Sequence, residues 1–212
     1  MIAPVRVKIC GITNPGDASV AIEAGADALG FNLFPGSKRF VRLEEVTPWL
    51  ATLGGDALKV AVMVNPTPAD IAAARPYFDI IQLHGQETPA QCAAVPGPIW
   101  KAFPLTAQLD ATAIAPYQAD AVLIDSSLPG AFGGTGTLID LAEAVRFVHA
   151  SPGVPVWLSG GLNPANVAEA VAKVRPYGVD VASGVEVSGN PRRKEAALVR
   201  AFVAAARYAA AQ

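Results

Sequence analysis

Cys10 closes a short apolar run in Lys8-Ile9-Cys10-Gly11-Ile12-Thr13, and a thiol so placed is either a small buried hydrophobe or a group that can take a proton. Asp125 closes another such run, Leu123-Ile124-Asp125, where a carboxyl can hold or deliver a proton. Three more runs end in polar residues or glycine: Gln82-Leu83-His84-Gly85, Ser159-Gly160-Gly161 and Asp180-Val181-Ala182-Ser183-Gly184. The glycine turns are either plain tight turns or places where main-chain N–H groups approach an anion such as phosphate. A thiol, a carboxyl and two such turns are parts for moving protons on an anionic substrate.

These residues need elements that bring them to one place. Short β-branched runs recur at 6–12, 28–33, 58–64, 79–84, 99–103, 121–126, 154–160 and 179–183, separated by Ala-rich stretches with helical spacing. The repeat of roughly 25 residues fits one strand, one helix and two short loops. Val60-Ala61-Val62-Met63-Val64 is apolar throughout, as in a strand covered on both faces. Thr13-Asn14-Pro15, Thr67-Pro68 and Asn163-Pro164 read as helix starts, with Pro where its missing N–H costs nothing. Asp27, Asp79, Asp120 and Asp180 recur around strands two, four, six and eight, a weak sign of duplicated βα units. No linker or charge block divides the chain. The expected fold is therefore α/β, a (β/α)8 TIM barrel forming a single domain over residues 1–212. A doubly wound open sheet is the alternative, but no G-x-G-x-x-G follows the first strand.

Barrel chemistry sits at the C-terminal ends of the strands, where the polar residues above collect. Side chains alternate along a strand, so Gln82 and His84 should point inward and Ile81 and Leu83 outward. Asp125 shares its face with Leu123, and Lys8 lies inward about 7 Å below Cys10. A buried Lys8 ammonium either lowers the thiol pKa or serves as an ion-pair partner. Asp125 otherwise caps a helix or pairs with Lys101. Cys92, in a helix-like stretch, reads as a small buried hydrophobe. Gly133-Gly134-Thr135-Gly136 is either a mobile cover or another anion contact. Arg39, in Pro35-Gly36-Ser37-Lys38-Arg39-Phe40, is either a solvated charge or a bidentate partner for a substrate carboxylate.

Composition narrows the partners. Of 212 residues, 52% are hydrophobic, which fills one core, and the net charge of −2 offers no basic excess for a nucleic-acid backbone. The longest apolar runs are too short to span a bilayer, and no polybasic or lipidation signal points to a membrane surface. No charged-then-apolar leader is seen, and the two cysteines lack metal-ligand spacing. A cytoplasmic protein taking a small phosphorylated molecule is expected, as monomer or homodimer, with no metal or organic cofactor implied.

The chain resembles the phosphoribosylanthranilate isomerase family of tryptophan biosynthesis over nearly its full length. The resemblance rests on Val7-Lys8-Ile9-Cys10-Gly11-Ile12-Thr13, Gly25-Ala26-Asp27-Ala28-Leu29-Gly30-Phe31, Ser37-Lys38-Arg39 and Gln82-Leu83-His84-Gly85. It continues through Leu123-Ile124-Asp125 with Gly133-Gly134-Thr135-Gly136, Leu158-Ser159-Gly160-Gly161-Leu162 and Val179-Asp180-Val181-Ala182-Ser183-Gly184-Val185-Glu186. It implies a (β/α)8 barrel and an Amadori rearrangement of N-(5-phosphoribosyl)anthranilate to the 1-deoxyribulose 5-phosphate. Asp125 is then the general acid at the furanose ring oxygen and Cys10 the general base at C2. Arg39 faces the anthranilate carboxylate, and Gly160, Gly161, Ser183 and Gly184 cradle the phosphate. Gln82, His84 and Asp180 line the pocket.

The residue types suit that chemistry. Desolvation raises a carboxyl pKa, which favours an acid at neutral pH. The iminium beside C2 acidifies its proton, so a thiolate of pKa about 8.5 or lower suffices. Two departures from the family pattern stand out. Ala182 stands where many members have serine, and Ser188-Gly189-Asn190-Pro191-Arg192-Arg193-Lys194-Glu195 replaces the usual Gly-Lys-Asp ending. Competing readings are a sugar-phosphate epimerase or thiamine-phosphate-type synthase, a silent phosphate-binding barrel, and a bifunctional relative acting also in histidine biosynthesis. The first would want carboxylate or metal-ligand clusters at the strand ends, the second no acid–base pair, and the third paired aspartates.

Overall fold

The computed structural model describes residues 4–126 and 138–210. Eight parallel strands close into a barrel in chain order. They are β1 (Arg6–Cys10), β2 (Ala28–Asn32), β3 (Leu58–Met63), β4 (Ile80–Leu83), β5 (Ile99–Pro104), β6 (Ala121–Asp125), β7 (Val156–Leu158) and β8 (Gly178–Val181). Helices α1 (Pro15–Glu23), α2 (Leu43–Leu50), α3 (Pro68–Ala74), α4 (Pro89–Ala93), α5 (Ala111–Ile114), α6 (Leu141–Ala150), α7 (Val167–Val174) and α8 (Ala196–Ala210) follow them in turn. After β8 the chain adds a two-stranded antiparallel hairpin, β9 (Glu186–Val187) and β10 (Asn190–Lys194), before α8. Among the described residues no helix is long and apolar enough to cross a membrane.

The pleat sorts side chains into two cores. Ala28, Val60, Val62, Ile80, Trp100, Ala102, Ala121, Leu123 and Trp157 fill the barrel. Their strand neighbours, among them Ile9, Leu29, Ala61, Ile81, Leu83, Ile124 and Val179, pack outward against helix residues such as Phe147, Val199 and Phe202. Low in the barrel the Trp100 and Trp157 rings lie 4.7 Å apart between centroids. Gly178, paired in register with Trp157, makes room for that ring: a Cβ there would come within 2.5 Å of Cε3.

Helix starts follow local chemistry. Asn14 accepts from Asp17 N at 2.9 Å and caps α1, and Thr67 accepts from Asp70 N at 3.2 Å and caps α3. The seventh helix departs from expectation. Asn163 Oδ1 instead accepts from Ala165 N at 2.8 Å, folding a turn, and the helix begins only at Val167. The recurring aspartates have a structural task. Asp27, Asp79 and Asp120 accept the main-chain N–H of Val7, Lys59 and Ile99, at 2.7, 2.7 and 2.8 Å. Each satisfies an entry N–H of the preceding odd-numbered strand. Asp180 breaks the pattern, since it lies inside β8 and points into the barrel. Lys101 is directed outward and pairs with Glu87 at 2.9 Å rather than with Asp125. The Gly133-Gly134-Thr135-Gly136 segment lies outside the described residues.

Gly178→Ala should lower stability by about 1–3 kcal/mol, the usual cost of overpacking a filled core. A urea midpoint equal to that of the parent would show that the Trp157 ring has room to retreat.

Candidate active site

The site begins at the seam where the barrel closes. Lys8 on β1 and Asp180 on β8 are register neighbours, and Lys8 Nζ lies 2.8 Å from Asp180 Oδ1. Lys8 is completely buried, a position an ammonium tolerates only with a counter-charge. Lys8 therefore serves as an ion-pair partner, and it also draws the thiol pKa down. Cys10 stands above it on the same face and is 9% exposed. Gly30 on β2 leaves space for both side chains, since a Cβ there would sit 2.8 Å from Cys10 Sγ and 3.1 Å from Lys8 Cε. Burial pushes the Cys10 thiol up; Lys8 pulls it back, while the Asp180 charge adds to the rise. The net direction is upward, so the expectation of an ordinary or lowered thiol pKa is corrected: desolvation outweighs the nearby ammonium.

A polar chain runs from this pair around the barrel mouth. Ser159, just beyond β7, places Oγ 3.3 Å from Asp180 Oδ2 and 3.3 Å from Asp125 Oδ2. Asp125 ends β6, and its Oδ2 is 3.9 Å from His84 Nε2. His84 Nδ1 lies 3.1 Å from Gln82 Nε2. Burial is the main cause that holds the His84 pKa below its ordinary value, favouring the neutral ring. With Gln82 donating to Nδ1, the ring hydrogen sits on Nε2, facing Asp125. Gln82 Oε1 is buried without a hydrogen-bond partner among the described residues. Cys10, Asp180, Asp125 and Gln82 thus share one interior, on β1, β8, β6 and β4, with His84 just beyond β4.

The turns after β7 and β8 pack tightly beside Asp125. A cleft is lined by Asp125, Ser126, Ser159, Gly160, Gly161, Asp180, Ala182 and Ser183. Gly160 has φ +102°, and a side chain there would run into Ser126. A Cβ on Gly184 would meet the carbonyl oxygen of Leu162. The two turns therefore interlock through glycine, with Ser183 exposed at their edge.

Arg39 reaches the mouth from the loop after β2 and is paired there. Its Nε lies 2.5 Å from Glu186 Oε1 and its Nη2 3.0 Å from Oε2. Ser159, Glu186 and Lys194 were given no role by the sequence. Alternation from Trp157 could have placed Ser159 inward. Glu186 and Lys194 come from a hairpin outside the βα repeat, and no local pattern marks them. A separate cavity of about 700 Å³ opens at the N-terminal ends of the strands, lined by residues including Arg6, Asp27, Trp100, Asp120 and Tyr177. It lies opposite the polar mouth, at the face that serves stability in this architecture. Among the described residues no three His, Cys, Asp or Glu side chains group as a metal would need.

Two outcomes follow from the buried seam. Lys8→Met should cost about 3–5 kcal/mol by leaving Asp180 buried without its counter-ion. Denaturant unfolding checks this, and a loss under about 1 kcal/mol would mean that the carboxylate finds another partner. Because burial raises the thiol pKa, the thiolate fraction of Cys10 at neutral pH is smaller than that of an ordinary cysteine. Its alkylation rate should keep climbing above pH of about 8.5, where a free thiol begins to level off. A plateau at or below that pH would contradict the effect of burial.

Comparison with known proteins places this geometry. Residues 7–205 match the family described as PRAI, N-(5'-phosphoribosyl)anthranilate (PRA) isomerase. The N-(5'-phosphoribosyl)anthranilate isomerase of Geobacter metallireducens is 45% identical over 203 residues, covering 94% of this chain and 97% of that protein. A crystal structure of phosphoribosyl anthranilate isomerase with reduced 1-(o-carboxyphenylamino)-1-deoxyribulose 5-phosphate superposes with TM-score 0.83 at 33% identity, covering 96% of this chain and 99% of that one. A structure of monomers of the dimeric enzyme from Thermotoga maritima gives TM-score 0.82 at 33% identity, with coverage of 96% and 99%. With the barrel and matches along almost the whole length in agreement, the chain belongs to the N-(5'-phosphoribosyl)anthranilate isomerase family.

Proposed function

We infer that this chain carries out the isomerase step of tryptophan biosynthesis named by its family. It converts N-(5-phosphoribosyl)anthranilate, an aminoaldose, into 1-(o-carboxyphenylamino)-1-deoxyribulose 5-phosphate, an aminoketose. The observation that carries the reading is the convergence of Cys10 and Asp125 on one barrel mouth, joined beneath by Lys8, Asp180 and Ser159.

In the proposed sequence Asp125 gives its proton to the furanose ring oxygen, the ring C–O bond breaks, and the nitrogen lone pair forms the C1=N iminium. Cys10, as thiolate, then takes the C2 proton. The C2–H electron pair becomes the C1=C2 bond of an enolamine, which ketonises to the product. A raised thiol pKa leaves less thiolate but makes each thiolate a stronger base. Both proton carriers are side chains, so the scheme calls on no metal or organic cofactor. Gly160, Gly161, Ser183 and Gly184 hold the phosphate through the interlocked turns, and Arg39 meets the anthranilate carboxylate. Asp180 holds Lys8 beneath Cys10, while Gln82 and His84 line the sugar pocket. The orphan Gln82 Oε1 can accept from a substrate hydroxyl. The substrate is thus a small phosphorylated molecule, bound by one barrel domain over residues 1–212, as monomer or homodimer, in the cytoplasm.

Loss of anthranilate-type substrate fluorescence on adding the protein tests the activity itself. Cys10→Ala and Asp125→Asn should each lower kcat by at least about 10²-fold, the scale of general acid–base catalysis, with folding intact. A near-parental rate in either variant removes that residue from its role. The scheme needs Cys10 ionised and Asp125 protonated together, so kcat/KM should pass through a maximum with pH, and a profile that only rises or only falls would remove one of the two roles. Inorganic phosphate should inhibit competitively, and a purely noncompetitive effect would move the phosphate away from the two turns.

A further inference from the structure

The hairpin after β8 is strapped across the barrel mouth. Thr13 Oγ1 donates to Arg192 O at 2.5 Å, Lys194 N donates to Asp17 Oδ2 at 2.8 Å, and the Arg192 guanidinium donates to Phe40 O. The loops after β1 and β2 are thereby tied to the chain leaving β8. The hairpin also carries two charged side chains inward, Glu186 and Lys194. Glu186 accepts from the Nε and Nη2 edge of Arg39. Lys194 Nζ, wholly buried, donates to Glu186 Oε1 at 3.1 Å and to Ala182 O at 3.1 Å.

This arrangement does two things to Arg39. A guanidinium gripped along one edge by a carboxylate is fixed in its plane, which a single contact would not achieve. Its stem lies over Gly11, the residue after Cys10, where a Cβ would collide with Arg39 Cδ. The charge count is the second effect. Arg39 and Glu186 alone would cancel, giving an anion no net attraction. Lys194 adds a third charge, which burial weakens and Glu186 supports, and with it the cluster is net positive and can receive a carboxylate. Burial works against the charge of Glu186, but the hydrogen bond from Arg39 and the Lys194 ammonium hold its carboxyl below the usual range.

We propose that Glu186, backed by Lys194, is a positioning residue for Arg39. It occupies the Nε–Nη2 edge, so that a substrate carboxylate is met at the Nη1–Nη2 edge, and it thereby selects carboxyl-bearing arylamine substrates. The proposal rests on the reading that Arg39 takes the anthranilate carboxylate.

A double-mutant cycle tests it, using Arg39→Ala, Glu186→Gln and the pair, with steady-state kinetics and with anthranilate and aniline as competing probes. Glu186→Gln should raise KM about tenfold, the scale of one charged hydrogen bond, because the lost grip on the guanidinium plane outweighs the positive charge gained, and should leave kcat within about twofold. It should weaken inhibition by anthranilate and leave that by aniline unchanged. In the Arg39→Ala background the same substitution should add nothing to KM. An equal KM penalty in both backgrounds overturns the proposal, because Glu186 would then act without Arg39. Unchanged KM in Glu186→Gln overturns it as well. Unchanged KM in Arg39→Ala is a different failure: the underlying reading of Arg39 falls, and the proposal with it. If Glu186→Gln does not fold, Lys194→Met probes the same cluster. It should raise KM and flatten the fall of kcat/KM with ionic strength, and an unaltered salt slope counts against the proposal.

Discussion

The buried pair of Lys8 and Asp180 is the constraint on which the interior depends. An ammonium at the centre of a barrel is costly unless a carboxylate stands beside it, and a carboxylate there is costly for the same reason. The two come from the first and last strands, so they meet only when the barrel has closed in register. Closure also sets what can lie above and beside them. Gly30 must lack a side chain, Cys10 takes the space over Lys8, and Ser159 bridges from Asp180 to Asp125. One ionic contact at the seam thus fixes the separation of the proposed base on β1 from the proposed acid on β6.

The same pair sets the chemistry that the thiol can do. Burial favours the neutral thiol, and Lys8 offsets this only in part because Asp180 already claims its charge. A Cys10 next to an unpaired ammonium would be a weaker base, ionised at neutral pH. A Cys10 above a neutralised pair is ionised less often, yet removes a proton from carbon more readily once ionised. The iminium beside C2 lowers the demand on that base, so the proposed reaction tolerates a reluctant thiol. Asp180 therefore acts on the proposed base through Lys8, even though its own carboxylate faces Ser159 and Lys8.

Much of this was legible in the sequence, for a physical reason. In a parallel barrel each strand is covered on both faces, so apolar runs mark the strands, and a polar residue at a run's end is an exception that demands a reason. Alternation then separated Gln82 and His84 from Ile81 and Leu83. Other features were not legible, because they depend on contacts between distant segments. Glu186 lies 147 residues from Arg39, and Lys194 lies 177 residues from the Asp17 that holds its main chain. Lys101 stood in the sequence as an alternative partner for Asp125, yet its place on the outer pleat of β5 delivers it to Glu87. The repeated aspartates were visible as a spacing, but their task depends on the neighbouring strand. The late start of α7 was hidden because Asn163-Pro164 suits a turn as well as a cap.

The hairpin after β8 shows how a barrel adds specificity without disturbing its core. The seam pair and the polar chain lie inside strands whose register admits little change. Charges that must meet a variable part of a substrate sit better on an appended element, where their spacing can vary. Glu186 and Lys194 occupy such an element, tied down at Thr13, Asp17 and Phe40. Those ties make the hairpin a fixed wall, because each joins it to a segment that leaves a barrel strand. The residues proposed to recognise the carboxylate are thus held by the same strands that hold the proposed base, while the turns proposed to take the phosphate follow β7 and β8. A substrate spanning both would be held at its two ends, with its sugar over the Lys8–Asp180 seam.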